Sequence, residues 1–255
     1  RAIPRAMQYA TAGDTIWIDA GLYDSFVRIS ATETAGVNVD KDSITLIGKD
    51  SGASVINPPG DSLAVNIYGI YADSQTGLNI RNLGITGVYD GIYFTNVDRS
   101  LIASDSVSAN GDVGVYFNLS DTNSVQNNSV VWNTSDGIIA FSSSADTFNG
   151  NTLMSNGGSG IVLFTSSANT VTGNTANSNA VYGVSLTSTS NANTISSNTA
   201  NSNASGGIVV NGSSNNTLTG NTASSNTFEG FTFSSTANDN VLTGNTANSN
   251  TRYGV

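Results

Sequence analysis

The feature that most constrains this chain is an internal repeat of 23 to 24 residues. In each copy a glycine opens a short apolar run, and an asparagine precedes it at a nearly fixed distance. Chance does not keep two such series in phase over seven copies, so each copy is one structural unit. The glycine series is Gly91, Gly114, Gly137, Gly160, Gly183, Gly207, Gly230 and Gly254.

Each copy predicts three short strands. After the glycine, apolar residues alternate with period two, as at Val184 and Leu186, and this period is typical of a strand. Two further strand candidates of one copy centre on Val171 and Ala176. The many Asn, Ser and Thr residues disfavour helix, because their side chains compete for backbone hydrogen bonds. The pattern therefore predicts an all-β parallel β-helix, whose equivalent residues stack about 4.8 Å apart.

Stacking of coils predicts columns, meaning sets of equivalent positions on successive coils. Three apolar columns, which pass through Val115, Val125 and Val130, are expected to point inward. The asparagines are expected to form a hydrogen-bonded amide ladder from coil to coil. Its predicted members are Asn110, Asn133, Asn156, Asn179, Asn203, Asn226 and Asn250.

The N-terminal region departs from the repeat. An apolar stripe behind Pro4 predicts a short helix over residues 3–11, which would cap the exposed strand edges. Strands are expected at Thr15–Ile18, Phe26–Ile29 and Ser43–Gly48, with an inserted loop at residues 30–42.

We expect one continuous domain with three parts. These are the cap and first strands at 1–42, irregular early coils at 43–97 and regular coils at 98–255. The last coil stops at Val255 with open strand edges. We therefore expect the native chain to continue or to stack head-to-tail on another copy.

Two N-terminal segments resemble a known family. "AIPRAMQYATAGDTIWIDAGLYDSFVRI" and "DSITLIGKDSGASVI" are similar to the opening of right-handed parallel β-helix proteins of the NosD and carbohydrate-binding or sugar-hydrolase type. The resemblance implies right-handed coils. The fold hosts lyases, hydrolases, epimerases, adhesins and surface-layer proteins, so it does not fix a function. Asn/Ser/Thr-rich, His-free versions look most like secreted archaeal or bacterial cell-surface proteins, which implies an extracellular location.

Composition excludes several kinds of chemistry. The chain has no Cys and no His, so thiolate sites, imidazole catalysis and the copper association of NosD do not carry over. The net charge of −10 argues against nucleic acid as a partner. No apolar run approaches the roughly 18 residues of a membrane helix.

Acidic residues provide the candidate sites. Asp90, Asp112 and Asp136 precede repeat glycines and are expected to form one column on three coils. The favoured interpretation is a solvated acidic edge. A cation site and the two carboxylates of a glycosidase are the alternatives. Asp98 and Asp121 should lie one coil apart, where their oxygens would suit Ca²⁺. No other cofactor is expected.

Two other residue sets could face solvent. Asn118, Asn211 and Asn215 are the sequons best placed for glycosylation. Tyr93 and Tyr116 share an outward position, where they could form a sugar platform or an assembly contact.

Three functions are consistent with these observations. Low charge, lack of His and near-identical coils favour a structural cell-surface or filament protein that self-assembles, since an active site usually interrupts a repeat. A polysaccharide-binding module and a carbohydrate-active enzyme, either hydrolase or lyase, are the alternatives.

Overall fold

Each 23-residue repeat closes into one coil of a parallel β-solenoid in the computed structural model, which describes residues 3–59 and 65–255. The coils form three sheets, and beyond Thr175–Asn177 the second of them continues only as isolated bridges through Thr199, Thr222 and Thr246. The first sheet contains Thr15–Ile18, Thr45–Gly48, Asn79–Arg81, Leu101–Ala103, Ser124–Gln126, Thr147–Asn149, Thr170–Thr172, Thr194–Ser196, Thr217–Thr219 and Val241–Thr243. The second contains Gly21–Tyr23, Ser54–Ile56, Gly84–Thr86, Ser106–Ser108, Ser129–Val131, Thr152–Met154 and Thr175–Asn177. The third contains Val27–Arg28, Glu33–Val39, Asn66–Asp73, Asp90–Thr95, Val115–Asn118, Ile138–Phe141, Ile161–Phe164, Val184–Thr187, Ile208–Asn211 and Phe231–Ser234.

The predicted inward columns are confirmed. Ile138 pairs with Ile161 one coil away, and both are fully buried, as are the equivalent residues of the other two columns. Exposure rises only at the last coil, where Leu242 is 38% and Val255 73% exposed. Assembly through this end stays a prediction.

The repeat glycines are required by close approach between coils. A Cβ on Gly114 would lie 2.4 Å from Val130 Cγ1 and 2.6 Å from the Gly137 carbonyl oxygen. Any larger residue would push neighbouring coils apart, so the column keeps glycine.

The N-terminal helix spans Ile3–Tyr9, slightly shorter than expected. Its Ile3 and Met7 are buried in the same hydrophobic core as the coils, and the helix packs against the strand Glu33–Val39. Among the described residues, no helix is long and apolar enough to span a membrane.

The prediction of an inserted loop at residues 30–42 is wrong, because Glu33–Val39 is a strand of the third sheet. Its Ala35, Val37 and Val39 alternate inward and are fully buried, a short period-two signal within polar surroundings. The expected strand Phe26–Ile29 shortens to Val27–Arg28, which pairs antiparallel with Glu33–Val39.

The asparagine ladder is confirmed. The Asn179 side-chain amide donates to the Leu153 carbonyl at 3.0 Å and to Asn203 Oδ1 at 3.3 Å. Its own Oδ1 accepts the backbone and side-chain N–H groups of Asn156, both at 3.1 Å. Each ladder residue thus joins neighbouring coils, and a second asparagine ladder runs through Asn128, Asn151, Asn174, Asn198, Asn221 and Asn245.

Replacing Asn179 by Ala should lower the free energy of unfolding by about 3 kcal/mol, because buried partners on two coils lose their hydrogen bonds. Asn177→Ala is the matched control. Asn177 is half-buried and accepts one bond, from the Asn201 N–H at 2.8 Å, so it should cost about 1 kcal/mol. Denaturant melts of both variants measure the difference. Equal losses of unfolding free energy would contradict the claim that the buried ladder stabilises the fold.

Candidate functional site

Three tyrosines stack on the outer face of the third sheet. Tyr71, Tyr93 and Tyr116 occupy equivalent positions on successive coils. The ring centroids of Tyr71 and Tyr93 are 5.9 Å apart with planes 6° from parallel, and those of Tyr93 and Tyr116 are 5.1 Å apart at 12°. Neighbouring residues of the same strands point into the core, so alternation places these rings outside. We call this set the tyrosine column.

A fourth ring, Tyr68, packs beside the column. Its centroid lies 5.3 Å from that of Tyr71 and 4.9 Å from that of Tyr93. The Tyr68 hydroxyl donates to Glu33 Oε1 at 3.0 Å. Burial is the main cause of its raised pKa. This hydroxyl therefore stays protonated and holds the Glu33 carboxylate at the edge of the column.

Asp90 lies in register with Tyr68 and is only 4% exposed. Its Oδ1 accepts the Val113 N–H at 2.9 Å. Burial raises the pKa of Asp90 to about 7, and the nearby Asp112 adds to the increase. Asp90 therefore exchanges a proton near neutral pH beside the rings.

Asp112 lies at the same edge and interacts with Tyr89. A hydrogen bond to the Asp112 carboxylate is the main cause of the raised pKa of the Tyr89 hydroxyl. The backbone N–H of Asp112 donates to the Tyr89 carbonyl, which places these residues one coil apart. We call the tyrosine column, Tyr68 and the carboxylates of Glu33, Asp90 and Asp112 the tyrosine face.

The expectation of one column for Asp90, Asp112 and Asp136 needs correction. Val113 lies between Asp90 and Asp136 in one column. The Val113 N–H donates to Asp90 Oδ1, and the next residue, Gly114, donates its N–H to the Asp136 carbonyl. Asp112 belongs to the adjacent column, because the spacings of 22 and 24 residues offset it by one position. Asp136 uses its Oδ1 to accept the Ser159 N–H.

Asp98 and Asp121 do lie one coil apart, and each carboxylate caps backbone. Asp98 Oδ1 accepts the Asp121 N–H at 2.9 Å, and Asp121 Oδ1 accepts the Ser144 N–H. Within residues 3–59 and 65–255, no three acidic side chains gather as a metal site would require. The carboxylates of Asp98 and Asp121 thus join neighbouring coils through hydrogen bonds to backbone N–H groups.

The three sequon asparagines differ in exposure. Asn211 and Asn215 are exposed, whereas Asn118 is half-buried and its side-chain amide donates to Thr95 Oγ1 at 3.2 Å. Glycosylation at any of them stays a prediction.

The sequence pointed to Tyr93 and Tyr116 but missed Tyr71 and Glu33. Tyr71 precedes Tyr93 by 22 residues, one fewer than the regular step, so it falls out of phase. Glu33 lay in the segment expected to be a loop. The outer face continues past Tyr116 through Ile139 and Val162.

Acidic residues outnumber basic ones around the tyrosine face. Arg28 is the basic residue of the third sheet nearest to Glu33 in register, since it pairs with Thr34, and its guanidinium donates to the Ala31 carbonyl at 3.0 Å. No Lys or Arg occurs from Ser100 to Thr251. Arg81 lies in a strand of the first sheet, and Lys49 directly follows another strand of that sheet. The arrangement offers an aromatic strip for apolar contact with sugars, and it offers carboxylates that can accept hydrogen bonds from hydroxyls.

Comparisons with known proteins agree with this fold. A family model described as "Right handed beta helix region" matches residues 35–200, and one described as "Periplasmic copper-binding protein (NosD)" matches residues 189–255. A sequence comparison with curated proteins finds no match.

Several solved structures share the architecture. An alginate lyase from Paenibacillus sp. str. FPU-7 has 17% identity and a TM-score of 0.73 over 96% of both chains. Pectate lyase Pel9A has 17% identity and a TM-score of 0.71, covering 95% of this chain and 72% of its own. The Azotobacter vinelandii mannuronan C-5 epimerase AlgE6 A-module has 15% identity and a TM-score of 0.63, covering 98% and 89%. At such identities the likeness shows the fold, and these similar structures act on polysaccharides.

Proposed function

This chain belongs to the right-handed β-helix family, and on that premise we propose that it is a carbohydrate-active protein that binds a polysaccharide along the tyrosine face. The observation that carries the proposal is the stacked tyrosine column, with rings 5.1 to 5.9 Å apart on one outer face. Successive rings at this spacing form a continuous aromatic strip, and an extended sugar chain can lie along it in apolar contact.

Energetics support a ligand at these rings. Tyr71, Tyr93 and Tyr116 are half-buried, each partly covered by its stacked neighbours, and keep the rest of their aromatic surface open to solvent. Large aromatic surface left in water on one face favours contact with a partner. The comparisons support this carbohydrate alternative better than the filament subunit that the sequence favoured.

Tyr93→Ala should weaken the binding, because Tyr93 is the central ring and contacts Tyr68, Tyr71 and Tyr116. Affinity electrophoresis against a panel of soluble polysaccharides measures the effect, and we expect the affinity to fall at least about tenfold, the equivalent of one stacking contact. Tyr9→Ala is the matched control, since Tyr9 is 76% exposed on the N-terminal helix. An affinity in Tyr93→Ala equal to that of the parent would contradict the proposal.

Hydrolysis at the same face is a second candidate, favoured by Asp90. Its pKa of about 7 suits a general acid, and Asp112 lies beside it as a second carboxylate. A uronate lyase is less suited, because it must neutralise the substrate carboxylate and this face is acidic. If the protein hydrolyses the bound polymer, Asp90→Asn should stop release of reducing ends while binding persists.

We also propose a location outside the cytoplasm, in the periplasm or at the cell surface. The description of the NosD family as periplasmic supports this placement. Fractionation of the source cells tests it.

A further inference from the structure

We infer that the polysaccharide bound at the tyrosine face carries free amino groups, as in a glucosamine polymer. This inference rests on the proposed function and adds the charge of the ligand. It follows from the carboxylates that accompany each ring of the column.

Each tyrosine of the column has an acidic neighbour. Asp73 lies two residues after Tyr71 in the same strand and therefore on the same face. Burial is the main cause of the raised pKa of Tyr71 and of Tyr116, and Asp73 adds to it at Tyr71, whereas Asp90 and Asp112 add to it at Tyr116. Asp90 and Glu33 act on Tyr93, where burial is the main cause of a pKa raised to about 12. Acids therefore follow the rings along the whole column.

The position of Glu33 supports a role beyond a random surface charge. Its Oε1 accepts the Tyr68 hydroxyl at 3.0 Å and its Oε2 accepts the Ser30 hydroxyl at 2.9 Å. These two donors hold the carboxylate in one place next to the rings. Charge-assisted hydrogen bonds of this kind are stronger than neutral ones.

Rings and carboxylates together recognise ammonium groups. An amine above a tyrosine face is attracted by the ring quadrupole, and a nearby carboxylate adds a charge-assisted hydrogen bond. A uronate polymer would be repelled, because its carboxylates would face those of Glu33, Asp73 and Asp112. Like charges brought together in this way oppose binding.

The experiment compares three soluble polymers of matched length by calorimetry at mildly acidic pH, where amines are protonated and exposed carboxylates ionised. They are short oligosaccharides of chitosan, of its fully N-acetylated form and of polygalacturonate, because the long N-acetylated polymer does not dissolve. We expect chitosan to bind at least about tenfold more tightly than the N-acetylated polymer, and polygalacturonate to bind least. The double variant Glu33→Gln, Asp112→Asn should reduce this preference to near one.

Two variants separate the possible outcomes. Asp19→Asn, Asp239→Asn removes the same charge at two exposed positions elsewhere and should leave the preference intact. If that control also abolishes the preference, bulk attraction to an acidic protein explains it and the inference is wrong. Polygalacturonate could instead bind as tightly as chitosan or more tightly, and Tyr93→Ala could weaken that binding. This result would overturn the inference and leave the proposed function standing. If Tyr93→Ala binds every polymer as tightly as the parent does, the proposed function itself is overturned.

Discussion

Replacing Asp146 by Asn is expected to stabilise the protein by a few kcal/mol near pH 8, on the order of the pKa shift it removes. Asp146 is 1% exposed in a column of asparagines, and its Oδ1 accepts the Asn123 N–H at 2.7 Å. Its Oδ2 has no partner. At the equivalent atom, Asn123 and Asn169 each donate an amide N–H to a backbone carbonyl. An asparagine would supply the missing donor, as a protonated carboxyl does.

The gain should depend on pH. Burial is the main cause of a folded-state pKa of about 8 at Asp146, raised from 3.8, and the carboxylates of Asp121 and Asp98 add to it. The folded state therefore holds a proton that the unfolded state releases above about pH 4. The contribution of Asp146 to the stability of the parent is therefore fully present below about pH 4 and is lost as the pH rises toward 8, whereas the asparagine variant does not titrate at this position.

Thermal melts from pH 4 to 9 measure this effect, and the two proteins should diverge by about 5 °C or more at the alkaline end. Asp105→Asn should behave alike, because Asp105 is 2% exposed, has an unpartnered Oδ2 and a pKa raised to about 8 mainly by burial. Asp239→Asn, at an exposed position, is the control and should change little. A constant difference across this pH range would contradict the account of the ladder.

Ile161→Asp should prevent stable folding. Ile161 is fully buried between Ile138 and Val184, and no Lys or Arg occurs in the coils around it. A carboxyl group without a partner in this column costs several kcal/mol, because it must either stay charged in an apolar core or take up a proton and still lack a hydrogen bond. We expect the melting temperature to fall by more than about 10 °C.

Val162→Asp is the matched control for this substitution. Val162 is the next residue of the same strand and is half-buried on the outer face. Its carboxylate can reach water, so the melting temperature should stay within a few degrees of the parent. If both variants lose stability equally, the inward and outward faces of the strand are assigned incorrectly.

The regular coils could be predicted because their spacing barely changes. Once Gly114 and Gly137 are aligned, every residue of one coil predicts the position of its neighbours. The first ninety residues could not be aligned in this way, since their coils vary in length. The strand Glu33–Val39 was missed for this reason.

The site was predictable only in part. Tyr93 and Tyr116 share the regular step, whereas Tyr71 and Glu33 come from irregular coils. The buried state of Asp146 also escaped the sequence, because its column mixes residue types and an acid in an Asn-rich turn resembles solvated surface. Which residues meet across coils of unequal length depends on three-dimensional register.

The measurement that tests the central claim most directly is a crystal structure with a chitosan oligosaccharide bound. The account predicts sugar rings packed along the strip formed by Tyr71, Tyr93 and Tyr116, with amino groups directed toward the carboxylates of Glu33 and Asp112. Density for the oligosaccharide on another face, with these rings left bare, would contradict it.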